Sequence, residues 1–276
     1  MHNSAKIFLE KTNNINPDIA VILGSGLTNF FEDKNIISSI SYEDLPDFPK
    51  PTVKGHAGKL VLGKISEMNI VCMYGRSHIY EGHEPQSLAK PIRVLKDIGC
   101  KLLIVTNAAG SLDQNMPAGS LMAITDHINW SGFNPLIGIN ADAYGPRFND
   151  MSDGYHKKYR DQLIKTANKI DQKVYEGIYC MYSGPNFETP AEINALKVIG
   201  GNAVGMSTIP EVLVANHCGL PVIAISVITN LAAGMNKTKL SHQETLENAA
   251  LAENNIINLI KNYIHDVKLD DSSGNN

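Results

Sequence analysis

Apolar residues fall along the chain in two rhythms. Unbroken short runs at 20–23, 60–62, 70–74, 102–106, 121–124, 177–182 and 221–229 read as strands buried on both faces. Between them, segments 85–98, 155–170, 190–199, 210–218 and 241–264 space their apolar residues for a helix. Start signals agree with this: Pro190 and Pro210 suit first helical turns behind Thr189 and Ile209, and Ser241 followed by Glu244 makes a capping box. Strands alternating with helices predict an α/β fold. No linker, low-complexity tract or repeat divides the pattern, so one domain is expected over 1–276, with a polar tail at about 270–276. Segment 129–153 keeps neither rhythm; rich in Gly, Pro, Asn and Asp with scattered aromatics, it predicts a long irregular excursion of functional or interfacial use.

Several strands run into turns that carry polar chemistry. VILGSGLTN at 21–29 ends in a glycine turn tipped by Ser25, where backbone N–H groups and a hydroxyl can converge on an anion; tight packing explains the glycines equally well. The turn has Asn29 where a dinucleotide fingerprint needs glycine, and no Walker lysine. GRSHIYEGH at 75–83 places Arg76 and His78 on alternate positions, so both leave one face as oxyanion donors, with Tyr80 and Glu81 crowding the same turn. A solvated Arg–His pair is the plain alternative. VTNAAGSL at 105–112 ends a strand in small residues that leave the N–H groups of Ala108 or Ala109 approachable, or simply allow close helix packing. GHAGKL at 55–60 sets His56 between glycines on a loop.

Further along, YSGPNFETPAEI at 182–193 pairs the flat face of Phe187 with the carboxylate of Glu188, a combination suited to a purine and equally to a staple with a first-turn acid. In VGMSTIPE at 204–211, Met206 offers an adaptable apolar surface and Ser207 a hydroxyl near a helix N-terminus, where phosphate binds well; helix capping accounts for Ser207 and Thr208 as readily. SVITNLAAG at 226–234 closes an apolar strand with Thr229 and Asn230, whose amide can both donate and accept, although Asn is also a routine strand terminator. Ser87 and Lys90 match a Ser-x-x-Lys pattern without its companion motifs. The chain has no Gly-x-Ser-x-Gly elbow, His-Glu-x-x-His or EF-hand loop, and no metal site is expected.

Composition narrows the class. The 276 residues are 43% hydrophobic and 19% charged, as in an ordinary globular protein. A net charge of -4 leaves no footprint for nucleic acid or an anionic membrane, so any phosphate is held at a local site and the partner is expected to be small. The four cysteines lack zinc or redox spacing and read as buried and reduced. A polar N-terminus and the lack of any stretch near roughly 20 apolar residues predict a cytoplasmic protein.

The order and wording of GHAG, GR-x-H-x-YEGH, TNAAG, GP-x-FET and GMSTIPE resemble the trimeric purine nucleoside phosphorylases, over about residues 24–242. The resemblance implies a central mixed, partly barrel-like sheet flanked by helices, and a homotrimer with sites near its interfaces. It implies phosphorolysis of inosine and guanosine to free base and ribose 1-phosphate, with inorganic phosphate as co-substrate and no cofactor. It places phosphate against Ser25, Arg76, His78, the backbone of Ala108, and Ser207. Ribose would lie between Tyr80 and Met206, with His56 and His242 near its 5′-hydroxyl and Phe148 lent by a neighbouring subunit. Glu188 and Asn230 would hold the purine, with Phe187 and Tyr179 around it, and His78, Asn230 and Glu188 would carry the catalysis. Thr28, Ser77 and Leu231 depart from residues common in relatives, none of them at a proposed hydrogen-bonding group. Among rival readings, a 5′-methylthioadenosine phosphorylase is disfavoured by Asn230 and the polar His242. A hydrolase is disfavoured by the Ser25, Arg76 and His78 set. A non-catalytic nucleoside-binding protein would have lost one of the two contact sets.

Overall fold

The computed structural model describes residues 1–24, 27, 29–52, 57–236 and 242–270, with main chain alone at 242–246. Among them, nine strands share one sheet: β1 (Ile19–Leu23), β2 (Ile36–Ser41), β3 (Lys59–Ile65), β4 (Met68–Tyr74), β5 (Leu102–Ser111), β6 (Leu121–Ile128), β7 (Val174–Met181), β8 (Ala203–Gly205) and β9 (Val222–Leu231). Their spatial order is β2-β3-β4-β1-β5-β8-β7-β6-β9, and a further pairing of β5 with β9 closes the last five into a barrel-like ring. The sheet is mixed: β1 runs parallel to β4 and β5, while β8 is antiparallel to β5 and β6 antiparallel to β9. Six helices flank it: α1 (Asn3–Lys11), α2 (Pro85–Asp97), α3 (Lys157–Lys169), α4 (Pro190–Val198), α5 (Ile209–His217) and α6 (His242–Asp266).

The unbroken apolar runs are explained by helices on both faces. Alternate side chains of a strand point to opposite faces. Ile19, Val21 and Leu23 of β1 therefore pack with Ile256, Ile260 and Tyr263 of α6, while Ala20 and Ile22 join Phe8 of α1 and Ile92 and Leu95 of α2. Each such large side chain, wholly withdrawn from water, contributes roughly 1.5–3 kcal/mol. Local signals set the helix starts. Thr189 accepts from the Glu192 N–H and the Glu192 carboxylate accepts from the Thr189 N–H, a closed capping box with Pro190 in the first turn. Ser241 lies outside the described residues. Helix α5 is buried on nearly every side, Asn216 excepted, and lies between α2 and the sheet.

Three elements are not anticipated by the apolar pattern. β2 is an edge strand, IISSIS, that buries only Ile40; β8 has three residues; and α1 buries only Ser4, Ala5 and Phe8. In addition, β5 and β9 run past the expected ends at 106 and 229, to Ser111 and Leu231, still paired through a bulge at Ala109/Gly110. That extension carries the site.

Segment 129–153 contains no helix or strand. It is tied down by the Tyr144 hydroxyl, which donates to Asp97 at 2.9 Å, and by Asn140 beside His217 at 3.1 Å. Its surface carries exposed Trp130, Ile137, Ile139 and Phe148. No helix among the described residues is long and apolar enough to cross a membrane. All four cysteines are unpaired and buried, and burial pushes the Cys180 and Cys218 thiols up to about 11.

Candidate active site

The carboxyl ends of β1, β4, β5 and β9, the turns before α4 and α5, and the end of β8 enclose a cavity of about 320 Å³, within the usual size range of small-molecule sites. Nine of the residues singled out above line it: Arg76, His78, Tyr80, Ala108, Phe187, Glu188, Met206, Ser207 and Asn230. Ser25 and His56 lie outside the described residues, as does the side chain of His242, which begins α6. Phe148 is far from being enclosed; it is 90% exposed on the irregular segment. Tyr179 is wholly buried and does not line the cavity; its hydroxyl accepts the Ser207 N–H at 3.3 Å. Gly205 keeps that arrangement possible, since a Cβ there would fall 2.5 Å from the Tyr179 oxygen.

One part of the wall is built for an anion. Arg76 leaves the end of β4, only 3% exposed. Its guanidinium donates to Glu211 Oε1 at 3.1 Å, to Thr208 Oγ1 at 3.4 Å and to the Thr106 carbonyl. The fork is thus fixed before any ligand arrives, and an incoming anion shares its charge with Glu211. His78 stacks on Tyr80 with ring centroids 4.8 Å apart at 12°. Its Nδ1 lies 3.0 Å from Glu81 Oε1, and Glu81 also accepts the His78 N–H at 2.6 Å. Burial alone would raise the Glu81 pKa, but the hydrogen bonds from His78 and Thr52 outweigh it and hold the carboxyl down at about 2. An ionised Glu81 can only accept, so the His78 Nδ1 bears a hydrogen and donates it to Glu81. The main chain closes in where Gly24, Asn107 and Ala108 line the cavity; a Cβ on Gly24 would meet the Asn107 Cα at 3.0 Å.

Another part suits a flat, polar heterocycle. Phe187, 38% exposed, offers a ring face. Glu188 is buried, and burial raises its pKa above the ordinary carboxylate value, with Glu192 adding to the rise. Asn230 accepts from the Thr229 hydroxyl at 2.8 Å and donates one N–H to the Leu231 carbonyl at 3.0 Å, which leaves its second N–H for a ligand. Gly110 of β5 lies directly behind this amide, with its Cβ position 3.2 Å from Asn230 Nδ2. Ala108 and Gly110 are two residues apart on one strand, about 7 Å at the usual rise.

Four contributors carry no site role in the sequence, where Thr208 reads as a helix cap and Thr229 as a strand end. Asn107, Thr208 and Glu211 form a buried polar cluster around Arg76, and Thr229 orients Asn230. Glu211 did leave a signal. An acid inside IPEVLVANH, a helix with no polar face, must be paired if it is charged.

Residues 18–265 match the sequence model of the phosphorylase superfamily. The chain is 44% identical over 260 residues to purine nucleoside phosphorylase 1 of Geobacillus stearothermophilus, covering 94% of this chain and 95% of that protein. It is similar in structure to a Schistosoma mansoni purine nucleoside phosphorylase solved in complex with inosine, with a TM-score of 0.89, 36% identity and coverage of 97% and 96%. Isoform 2 from the same organism, solved with cytosine and ribose-1-phosphate, gives a TM-score of 0.91 at 39% identity, with the same coverage. The chain belongs to the phosphorylase superfamily, among its purine nucleoside phosphorylases.

Proposed function

We propose that the chain, as one domain, catalyses phosphorolysis of 6-oxopurine nucleosides, inosine and guanosine and their deoxy forms, to free base and (deoxy)ribose 1-phosphate. The observation that carries this reading is the single cavity wall on which Arg76, His78 and Ser207 accompany Glu188 and Asn230. In the reaction, the C1′–N9 bond stretches and its electron pair leaves with the purine. The ribosyl group gains oxocarbenium character, and a phosphate oxygen forms the new bond to C1′ from the opposite face. Phosphate is the co-substrate and no cofactor takes part. Arg76, His78, Ser207, Ser25 and the Ala108 N–H hold the anion, whose charge stabilises the ribosyl cation. Tyr80 and Met206 flank the sugar, with His56 and His242 at its 5′ end. Asn230 donates to N7 as negative charge builds in the base, and Glu188 accepts from N1–H, so catalysis is positioning plus preset electrostatics.

The first test is incubation with inosine with and without inorganic phosphate, following hypoxanthine and ribose 1-phosphate. Phosphate-dependent release of both is expected. Release without phosphate would make the protein a hydrolase, and turnover of methylthioadenosine alone would make it a methylthioadenosine phosphorylase.

Glu188 gives the reading a pH signature. As a carboxylate it accepts from the N1–H of a 6-oxopurine; protonated, it can instead donate to N1 of adenine, which bears no hydrogen. Its pKa is raised by burial. As pH falls through that raised value, kcat/KM for inosine is therefore expected to drop while the adenosine/inosine ratio climbs, beginning above the ordinary carboxylate range. Glu188→Gln should flatten the ratio; a ratio that stays constant with pH in the unmodified enzyme would remove Glu188 from N1.

The protein works as a cytoplasmic homotrimer in this reading, with Phe148 completing the ribose pocket of a neighbour. The support is an exposed aromatic on an irregular segment that also exposes Trp130, Ile137 and Ile139. Sedimentation velocity is expected to give a species three times the 30.1 kDa chain, and a monomer with full activity would refute the lent residue.

A further inference from the structure

Between the cavity and the start of α5, the main chain takes a conformation that its residue type disfavours. Thr208 sits at φ 79° and ψ -49°, and the Ile209 N–H donates back to the Ser207 carbonyl at 2.9 Å. That is a tight γ-turn of the positive-φ kind, rare and strained, here centred on a β-branched residue. Such strain persists where surrounding contacts over-determine it, and it clusters at functional sites. Helix capping does not account for it, since the Thr208 side chain makes no capping hydrogen bond to α5.

The hydroxyl is engaged on the other side. Thr208 Oγ1 receives Asn107 Nδ2 at 2.8 Å and Arg76 Nη1 at 3.4 Å, and Ser207 Oγ lies 3.2 Å away. The amide nitrogen and the guanidinium can only donate, and a hydroxyl has two lone pairs and one hydrogen. Both lone pairs are therefore taken, and the Thr208 hydrogen goes to Ser207 Oγ. Ser207 in turn accepts from Thr208, so its own hydrogen is left to turn between the Tyr179 hydroxyl and the cavity that it lines.

We infer that Thr208 is the positioning residue of the phosphate subsite: its hydroxyl, held by the strained γ-turn, sets Ser207 as a donor to the anion. The inference rests on the phosphorolysis reading for its choice of anion. It makes the chain Asn107–Thr208–Ser207 a one-way relay of hydrogen-bond donors, polarised at its head by Arg76.

Three substitutions at one position separate the hydroxyl from the turn. Thr208→Ser keeps the hydroxyl, Thr208→Val keeps the branched shape without it, and Thr208→Gly removes it while taking positive φ at no steric cost. Inorganic phosphate binding is measured by isothermal titration without nucleoside, beside KM for phosphate and for inosine and the thermal midpoint. Thr208→Val and Thr208→Gly are expected to weaken phosphate about tenfold or more, with inosine KM within about twofold, and Thr208→Ser to stay near the parent. Thr208→Gly should lose that affinity without losing thermal stability. Wild-type phosphate affinity in the Val or Gly variant, or equal losses toward phosphate and inosine, overturns the inference. A parent protein that binds phosphate but leaves inosine intact overturns the phosphorolysis reading instead, and the binding isotherms still decide the role of Thr208. A parent that binds no phosphate overturns both.

Discussion

Replacing Arg76 by methionine is expected to lower kcat/KM for phosphorolysis by about 10²–10³ and to lower the melting temperature as well, for two separable reasons. The first is loss of the fixed donor fork from the anion subsite. The second is structural: Glu211, its side chain only 11% exposed, would keep its charge without the guanidinium 3.1 Å away. Breaking a buried pair from one side costs roughly 3–5 kcal/mol, whereas replacing both partners with apolar residues is often neutral. At about 2–4 °C per kcal/mol for a chain of this size, the single variant should melt roughly 10 °C early. The double variant Arg76→Met/Glu211→Met should regain most of that stability and none of the activity. If the double variant also recovers turnover, Arg76 serves the fold and not the phosphate. Calorimetry and steady-state kinetics on the same preparations decide it.

Changing Asn230 to Asp is expected to cut kcat/KM for inosine by about 10²-fold or more while sparing adenosine, so that the inosine/adenosine ratio collapses. The amide has one N–H for the ligand, the other being committed to the Leu231 carbonyl. A carboxylate has none to give to N7, and it places a second negative charge near Glu188 on the same cavity wall. Adenine, which carries an amino group beside N7, can donate to that carboxylate. The Thr229 hydroxyl can still donate to the new side chain, so the local geometry has a reason to survive. An unchanged substrate ratio would mean that Asn230 does not read the base.

Most of the fold was legible because burial on both sheet faces turns strands into continuous apolar runs, and because prolines mark the first turns of α4 and α5. What escaped lacks an apolar signature for a physical reason. β2 lies at the sheet edge with one buried residue, and α1 needs only a few buried side chains to dock. The extensions of β5 and β9 are held by mutual pairing through Asn107–Ser111 and Ser226–Leu231, not by hydrophobic content. Most polar residues that line the cavity were legible from their motifs, since each brings chemistry that a turn does not need. The polar cluster around Arg76 was not, although its Asn107 also lines the cavity. Asn107, Thr208 and Glu211 act through partners that are distant in sequence, 101 residues in the case of Asn107 and Thr208, and only the folded chain brings those partners together. Tyr179, expected around the purine, is wholly buried and does not line the cavity.

The buried cysteines give the fold built-in timers. Thiolate, not thiol, is what a disulfide reagent captures, and these thiols are both sealed and pushed toward protonation. Modification must therefore wait for the chain to open locally, and its rate reports an opening equilibrium, not surface accessibility. The four sites sample different places: Cys72 within β4, Cys180 within β7 of the closed ring, and Cys100 and Cys218 at the ends of segments leading into β5 and out of α5. Their relative labelling rates would rank the order in which these parts let go, with a bound anion slowing those whose opening dismantles its subsite.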